Sequence, residues 1–179
     1  MNTIVRYRTQ GLLLAALVFA IDVAVKYLVV FQLKLQHKEV IEVLPFFRLT
    51  WAPNYGVSLG MLTATSPEMR WLLVAMTSGI ALVVLVWMLR ERKPADIVPL
   101  ALVLGGAAGN IRDRVGRGFV IDYADFHIGG FTPFIFNIAD AAISIGVVII
   151  LARSLFWGEK PETPADRPQA KGGNAAPEN

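Results

Sequence analysis

Four long apolar stretches dominate the chain, and each is long enough, or nearly long enough, to cross a bilayer as a helix. A hydrocarbon core about 30 Å thick requires roughly 20 apolar residues in helical conformation. The predicted membrane spans cover residues 11–33, 71–89, 96–111 and 134–157, the third being short and rich in glycine. The pattern therefore predicts an all-α polytopic membrane protein with four transmembrane helices.

Two longer segments, residues 34–70 and 112–133, connect the spans on one side of the membrane. The first is rich in Val, Phe, Leu and Trp and alternates partly, which predicts one or two short strands with a turn at residues 53–54. The middle of the second segment, residues 119–128, predicts another strand, followed by a turn at residues 129–130. We therefore expect a small β-structure on the membrane surface.

Basic residues and the C-terminal composition define the ends of the domain. The turn between the second and third spans, residues 90–93, is dense in Arg and Lys. The positive-inside rule places this turn and both termini in the cytoplasm, so that the two longer segments face outward. Residues 158–179 are polar and rich in Pro, Gly and Ala, which predicts a disordered cytoplasmic tail. Residues 1–157 form the single membrane-embedded domain.

Composition narrows the chemistry. The chain is 55% hydrophobic and carries a net charge of +3, with a mean hydropathy of +0.53. In a membrane protein such a charge reflects Lys and Arg flanking the spans, so we predict no nucleic-acid partner. The absence of cysteine excludes disulfides, thiol nucleophiles and cysteine-ligated zinc. The two histidines form no zinc motif, and the sequence predicts neither a metal nor a cofactor.

Polar residues gather towards the outer ends of the spans. A charge at the centre of the bilayer carries a free-energy cost of at least about 2.5–3.5 kcal/mol, so such residues are expected to have a role or a partner. Asp22 and Lys26 lie four residues apart in the first span, and Asn110 ends the third. Asp140 stands about 9 Å below the outer end of the fourth span, at about 1.5 Å per residue. The second loop adds further acids, Asp113, Asp122 and Asp125. We therefore expect a site at the outer membrane–water boundary.

Two interpretations remain open from the residues alone. Asp22 and Lys26 are either a self-neutralising pair facing the helix bundle or a support for the site. A water activated between two carboxyls, one of which holds the proton, would make the protein an aspartyl hydrolase. The same carboxyls used as a relay would make it a small proton-coupled transporter.

Four short motifs resolve these alternatives by resemblance. They occur in order along the spans as "DVAVK" (22–26), "NYGVSLG" (54–60), "GGAAGNIRDR" (105–114) with "GFVIDY" (118–123), and "FNIADAAI" (136–143). Together they resemble the lipoprotein signal peptidases (signal peptidase II), the membrane aspartyl proteases of bacteria. The likeness extends over about residues 11–157.

The resemblance implies a fold and an activity. Such enzymes have four spanning helices, a small extracytoplasmic β-sheet and a short surface helix. They remove the signal peptide from prolipoproteins once diacylglyceryl is attached to the lipobox cysteine, cleaving just before that cysteine. We therefore expect an endopeptidase of the bacterial inner membrane, active near its outer face and as a monomer. Its expected partners are the lipidated prolipoprotein, membrane lipids and cyclic depsipeptide inhibitors of the globomycin type.

The resemblance also assigns residues. Asp122 and Asp140 become the catalytic pair, and we expect the more deeply placed Asp140 to hold the proton while Asp122 activates water. Arg114 is predicted either to hold a phosphate or a peptide carbonyl, or to form an ion pair with Asp113 or Asp125. Residues expected to bind substrate or support the site are Asn54, Asn110, Arg114, Asn137, Asp22, Lys26, Gly106 and Asp113.

The amides have expected roles of their own. Asn137 lies one turn from Asp140 and is expected to hydrogen-bond an aspartate or the scissile carbonyl. Asn54 and Asn110 are each candidates for stabilising an oxyanion. Gly105, Gly106 and Gly109 are expected to allow close helix packing or to open a groove for the lipidated chain.

Overall fold

The computed structural model describes residues 3–56, 67–128 and 131–157. Four helices in it are long and apolar enough to cross a membrane: Thr3–Gln32, Pro67–Arg90, Pro94–Arg117 and Ile138–Phe156. The prediction of four spans is therefore confirmed. The predicted turn at Gly129-Gly130 and the predicted tail at residues 158–179 lie outside the described residues.

The helices begin and end where local chemistry favours it. Along the chain they are α1 Thr3–Tyr27 with a π-helical extension Leu28–Gln32, α2 Leu35–Lys38, α3 Pro67–Arg90, α4 Pro94–Arg117 and α5 Ile138–Trp157. A proline opens both α3 and α4, where its missing N–H is not needed. Gly118 ends α4 in the left-handed region at a φ of 88°, and its N–H donates to the Arg114 carbonyl at 3.1 Å.

The third and fourth helices differ from their predicted bounds in ways that affect the site. The third spanning helix, α4, does not stop at residue 111 but continues to Arg117. Asp113 and Arg114 therefore lie on α4 and not in the loop that follows it. The fourth begins at Ile138, not at residue 134. Asp140 is therefore only about 3 Å into its helix at about 1.5 Å per residue, and the expected depth of about 9 Å is wrong.

A four-stranded antiparallel sheet lies between the helix ends, in the order β1-β2-β3-β4. Its strands are β1 Val40–Leu44, β2 Phe47–Asn54, β3 Val120–Phe126 and β4 Ile135–Phe136. Strand β3 is paired on both sides, with β2 and with β4. The predictions of strands in both outer segments are confirmed.

The predicted turn at Pro53-Asn54 is wrong, because both residues belong to β2. The chain turns instead at residues 45–46. Pro53 pairs with Ile121 of β3, and its other side lies beyond the end of β1, whose pairing with β2 stops at Thr50. A proline is tolerated there because it has a free edge on which no backbone donor is required.

Helix α4 is the centre of the bundle and packs against α1, α3 and α5. A side chain at Gly105 would lie 2.5 Å from the Ala15 carbonyl of α1, and one at Gly106 would collide with the Ala139 carbonyl of α5. These glycines therefore allow close helix packing. An apolar cluster that includes Val29, Leu35 and Ile121 joins the sheet to the end of α1. The sheet thus sits directly on the end of the bundle where the polar residues gather.

Candidate active site

Asp122 on β3 and Asp140 in the first turn of α5 face one cavity of about 740 Å³. Its polar lining consists of these two carboxyls and Asn54. Its apolar lining comes from α5 and the chain that precedes it: Pro133, Phe134, Ile135, Phe136, Ala141 and Ile145, with Ser144 beside them. The cavity therefore has a polar part around the two carboxyls, called the floor below, and an apolar part formed mainly by Pro133, Phe134, Ile135 and Phe136, called the apolar wall below.

Asp122 is the more buried of the two carboxyls, with 4% of the residue exposed. One of its oxygens accepts from Asn137 Nδ2 at 2.6 Å, and the other accepts from Asn54 Nδ2 at 3.0 Å. Burial, reinforced by the nearby charge of Asp140, raises the pKa of Asp122 to about 7, although the two amides act against the rise. Asp122 therefore retains a proton close to neutral pH.

Asp140 is only half-buried, and it completes a reciprocal cap with Asn137. Asn137 Oδ1 accepts from the Asp140 N–H at 2.9 Å, and Asp140 Oδ2 accepts from the Asn137 N–H at 3.3 Å. An amide and a carboxyl three residues apart thereby satisfy backbone donors at the start of α5. The protein itself buries Asp140 less than Asp122, which is the opposite of the order from which a protonated Asp140 was expected.

Asn137 links the two carboxyls from a fully buried position. Its Nδ2 donates to Asp122, while its Oδ1 and backbone N–H bond Asp140. Asn110 completes the arrangement on α4, because its Nδ2 donates to Asp140 Oδ1 at 2.7 Å. Each carboxyl is therefore oriented by amide groups from two different elements.

Lys26 is buried behind Asn110 and has three acceptors. Its ammonium lies 2.9 Å from Asp22 and 2.9 Å from Asp113, and it donates to Asn110 Oδ1 at 3.3 Å. Because the oxygen of Asn110 faces this cation, the amide nitrogen must face Asp140. The Asp22–Lys26 pair is thus both neutralised within the bundle and connected to the site.

Asp22 and Asp113 also contact backbone near the site. Asp22 Oδ1 accepts from the Ala139 N–H at the start of α5 at 3.1 Å, and Asp113 Oδ2 accepts from the Ile121 N–H at 3.4 Å. Gly109 has no side chain where Asp22 approaches α4, and a Cβ there would collide with the Asp22 carboxylate. The bundle therefore positions both α5 and β3 through buried acids.

Comparison with known proteins identifies the site's class. A family model described as Signal peptidase (SPase) II matches residues 14–156. The chain belongs to the signal peptidase II family. It is 50% identical over 155 residues to the lipoprotein signal peptidase of Sphingopyxis alaskensis, covering 86% of this chain and 90% of that one. It is 46% identical over 165 residues to that of Rhizorhabdus wittichii, covering 92% and 95%.

Solved structures agree with this membership of the signal peptidase II family. One bacterial membrane enzyme matches with a TM-score of 0.71 and 28% identity, over 87% of this chain and 94% of that chain. A second matches with a TM-score of 0.70 and 30% identity, over 83% and 94%. The resemblance seen in the motifs is confirmed. Lipoprotein signal peptidase function, carried out by a protease embedded in the membrane, follows from this membership.

Arg114 is buried at the outer end of α4 and lines a second, smaller cavity of about 230 Å³ together with Asn54, Asn110, Asp140 and Ser144. Its terminal nitrogen donates to the Gly56 carbonyl at 2.8 Å. The acids considered as its partners have other cations beside them, because Asp113 pairs with Lys26 and Asp125 with Arg48. Arg114 therefore contacts a carbonyl of its own chain, and its role in holding a phosphate or a substrate carbonyl stays a prediction.

Two features of the site were missed from the sequence. Ser144 lines both cavities, and its position one turn after Asp140 on α5 was a signal that could have indicated it. The aromatic wall formed by Phe134 and Phe136 had no such signal, because those residues were assigned to a membrane span. In the part of the chain that the structure describes, no group of three or more His, Cys, Asp or Glu could hold a metal ion.

Proposed function

We propose that the protein removes the signal peptide from diacylglyceryl-modified prolipoproteins, cleaving just before the lipid-modified cysteine. Water activated between Asp122 and Asp140 is the nucleophile. The observation that carries this proposal is that both carboxyls face one cavity while amide donors hold them in place. Membership of the signal peptidase II family supplies the substrate class.

The two carboxyls have unequal roles in this proposal. Asp122 carries the shared proton in the free enzyme because it is the more buried, and Asp140 acts as the base. Two adjacent carboxyls cannot both ionise cheaply, so the pair works with a single proton. This assignment reverses the one expected from the sequence.

The proposed reaction proceeds in two balanced steps. Asp140 takes a proton from water as the water oxygen bonds to the scissile carbonyl carbon, and Asp122 gives its proton to the carbonyl oxygen. Asp140 then donates its new proton to the departing amide nitrogen as the carbon–nitrogen bond breaks, and Asp122 recovers a proton from the diol. Asn54, which lines both cavities, is the candidate donor to the developing oxyanion.

The cavity suits a substrate that is partly in lipid. Its apolar wall can hold an acyl chain or an apolar peptide segment, while its floor holds the polar groups that need water. We place the site at the outer face of the bacterial inner membrane, in agreement with the predicted cytoplasmic termini. We expect a globomycin-type cyclic depsipeptide to occupy the same cavity. One chain contains both carboxyls and their donors, which favours action as a monomer.

The arrangement of buried charge favours hydrolysis over proton-coupled transport. In residues 3–56, 67–128 and 131–157, the buried charged side chains all lie at the sheet end of the bundle: Asp22, Lys26, Asp113, Arg114, Asp122 and Asp125. A proton relay would need ionisable groups along a path across the membrane. The described residues offer no such path.

The test is a gel-shift assay on a purified, lipidated prolipoprotein. Asp122→Asn and Asp140→Asn are each expected to slow processing at least about 100-fold, because acid–base catalysis contributes that much or more. Asp96→Asn is the matched control, since Asp96 pairs with Arg153 near the start of α4 and touches neither carboxyl. Processing at the wild-type rate by both variants would refute the assignment. If the wild-type protein itself fails to process substrate, the test moves to solute uptake.

A further inference from the structure

Arg48 of β2 connects a buried acid of the sheet to the chain that forms the apolar wall of the cavity. Its Nε lies 2.6 Å from Asp125 Oδ2, and a terminal nitrogen donates to Thr132 Oγ1 at 3.2 Å. Asp125 is fully buried and also accepts from Thr50 Oγ1 at 2.9 Å. A guanidinium can form both contacts at once because its donors form a rigid planar fork.

The chain beyond Thr132 is held at its far end, where Phe136 stacks on Phe126 and packs against the apolar cluster of the sheet. It supplies Pro133 to Phe136 to the cavity wall, yet β4 pairs with β3 at only two positions. Phe134 is 62% exposed, so it is not fixed by burial in the protein. The Arg48–Thr132 hydrogen bond lies directly before the wall and is therefore well placed to set its position.

The Arg48 cluster does not touch the catalytic carboxyls. Asp122 and Asp125 are three residues apart on β3, and side chains alternate between the two faces of a strand, so they point to opposite faces. Asp122 pairs across the sheet with Ala52, whereas Asp125 pairs with Arg48. An effect of Arg48 on the reaction must therefore pass through the wall and not through the carboxyls.

We propose that Arg48 is a positioning residue which, through Asp125 and Thr132, fixes the apolar wall and thereby sets the affinity for the apolar part of the substrate. This inference rests on the proposed function, since it takes the cavity as the substrate site. It assigns to the Arg48 cluster an influence on KM and none on the chemical step.

The sharpest variant is Thr132→Val, which removes the hydroxyl and with it the contacts of Thr132 to Arg48 and to Asp125, while the Arg48–Asp125 pair stays in place. It should raise KM about 3- to 10-fold and leave kcat within about twofold. The expected rise is smaller than the full worth of a hydrogen bond to a charged group, because the loss acts on the substrate only through the position of the wall. Thr132→Ser keeps the hydroxyl and should retain a wild-type KM. Rates would be measured on a lipidated prolipoprotein in mixed micelles of fixed composition. Equal KM values for the Val and Ser variants would overturn the proposal.

Arg48 itself has a matched control elsewhere in the protein. Arg48→Met should raise KM, and Arg48→Lys should raise it less, because a lysine can pair with Asp125 without also reaching Thr132. Arg153→Met removes an arginine whose Nε also lies 2.6 Å from an aspartate and whose side chain is 29% exposed, against 28% for Arg48. The control should leave KM unchanged. A fall in kcat with KM unchanged in Arg48→Met would contradict the proposal.

The part of the substrate that contacts the apolar wall is either the acyl chains or the apolar residues of the signal peptide. Substrates that carry the same peptide with long or with short acyl chains distinguish these two possibilities. If the KM ratio of Thr132→Val to wild type shrinks with short chains, the acyl chains lie on the wall. If the ratio is unchanged, the peptide lies there, and a ratio of one with both substrates overturns the proposal. If Asp122→Asn still processes substrate while Thr132→Val raises KM, the assignment of the catalytic pair is refuted and the role of the apolar wall is supported.

Discussion

At the scale of single residues, amide groups differentiate two carboxyls that the sequence presents as equals. Asn137 bonds both acids, Asn54 bonds only Asp122, and Asn110 bonds only Asp140. Lys26 fixes which atom of Asn110 faces the site. The proton distribution in the pair therefore depends on side chains that do not react themselves.

The first prediction at this scale concerns pH. Because the pKa of Asp122 is raised from its ordinary value of 3.8 to about 7, the proton it donates is present below about pH 7 and lost above it. We expect kcat/KM to fall about tenfold for each pH unit above about pH 7, as in a single ionisation. Initial rates from pH 5.5 to 9 would check this. The control variant Asp96→Asn should have the same pH profile as the wild-type protein. A rate that stays level up to pH 9 would show that Asp122 is not the acid.

The second residue-scale prediction concerns Asn110. Asn110→Ala removes the donor to Asp140, and a hydrogen bond to a charged group is worth about 1.5–3 kcal/mol, so processing should slow about 10- to 100-fold. Asp96→Asn is again the control, since Asp96 pairs with Arg153 and lines neither cavity. Rates and unfolding temperatures would be measured together. Equal processing rates for the two variants would remove Asn110 from the site.

At the scale of secondary-structure elements, contact between α4 and α5 places Asp140 beside Asn110. Gly106 faces the Ala139 carbonyl of α5, and Gly146 of α5 lies where a Cβ would be 2.6 Å from the Pro99 carbonyl of α4. Small residues on both helices allow this close approach. The contact between Asp140 and Asn110 is therefore a consequence of helix packing.

Two glycines, Gly106 on α4 and Gly79 on α3, allow a test of this helix packing. Gly106→Ala should lower stability by about 1–3 kcal/mol or more, because its methyl group meets the backbone of α5. Gly79→Ala on α3 has no neighbour within 4 Å among the described residues and should change stability by less than about 1 kcal/mol, in the stabilising direction. Thermal unfolding in detergent would measure both. If Gly106→Ala is as stable as Gly79→Ala, the close packing of α4 and α5 is not required.

At the scale of the whole molecule, three arginines in or beside the two segments predicted to face outward have local partners. Arg48 pairs with Asp125, Arg70 donates to the Arg114 carbonyl at 2.7 Å, and Arg112 lies 3.6 Å from Asp113. These arginines form contacts within the sheet and at the helix ends. The basic turn at residues 90–93 is therefore the group that we expect to set the orientation of the protein in the membrane. The proposed topology is thereby consistent with both groups.

The whole-molecule prediction uses the absence of cysteine from the chain. Ile128→Cys, at a position 85% exposed beside the sheet, should react with a membrane-impermeant maleimide in intact spheroplasts. Ala95→Cys, exposed in the first turn of α4, should react only in inverted vesicles. These outcomes follow if the sheet and the active site lie outside. The opposite labelling pattern would invert the topology.

The sequence by itself determined the number of spans, the presence of strands in both outer segments, and the family. Each of these depends on local properties, because hydropathy is read within one helix and each motif is contiguous in the chain. The motif "FNIAD" also indicated the acid and the amide that open α5. The acids of the proposed pair, Asp122 and Asp140, were likewise assigned from short motifs.

Only the tertiary structure decided how those residues are used. Asn54 reaches Asp122 across 68 residues of chain, and Asp22 reaches the Ala139 N–H across 117. The burial that raises the pKa of Asp122, and the cap that keeps Asp140 at the helix end, depend on such distant neighbours. The Arg48–Thr132 contact likewise joins residues 84 apart. Desolvation and hydrogen-bond geometry arise between elements, so no local pattern in the sequence could have assigned the proton or the wall.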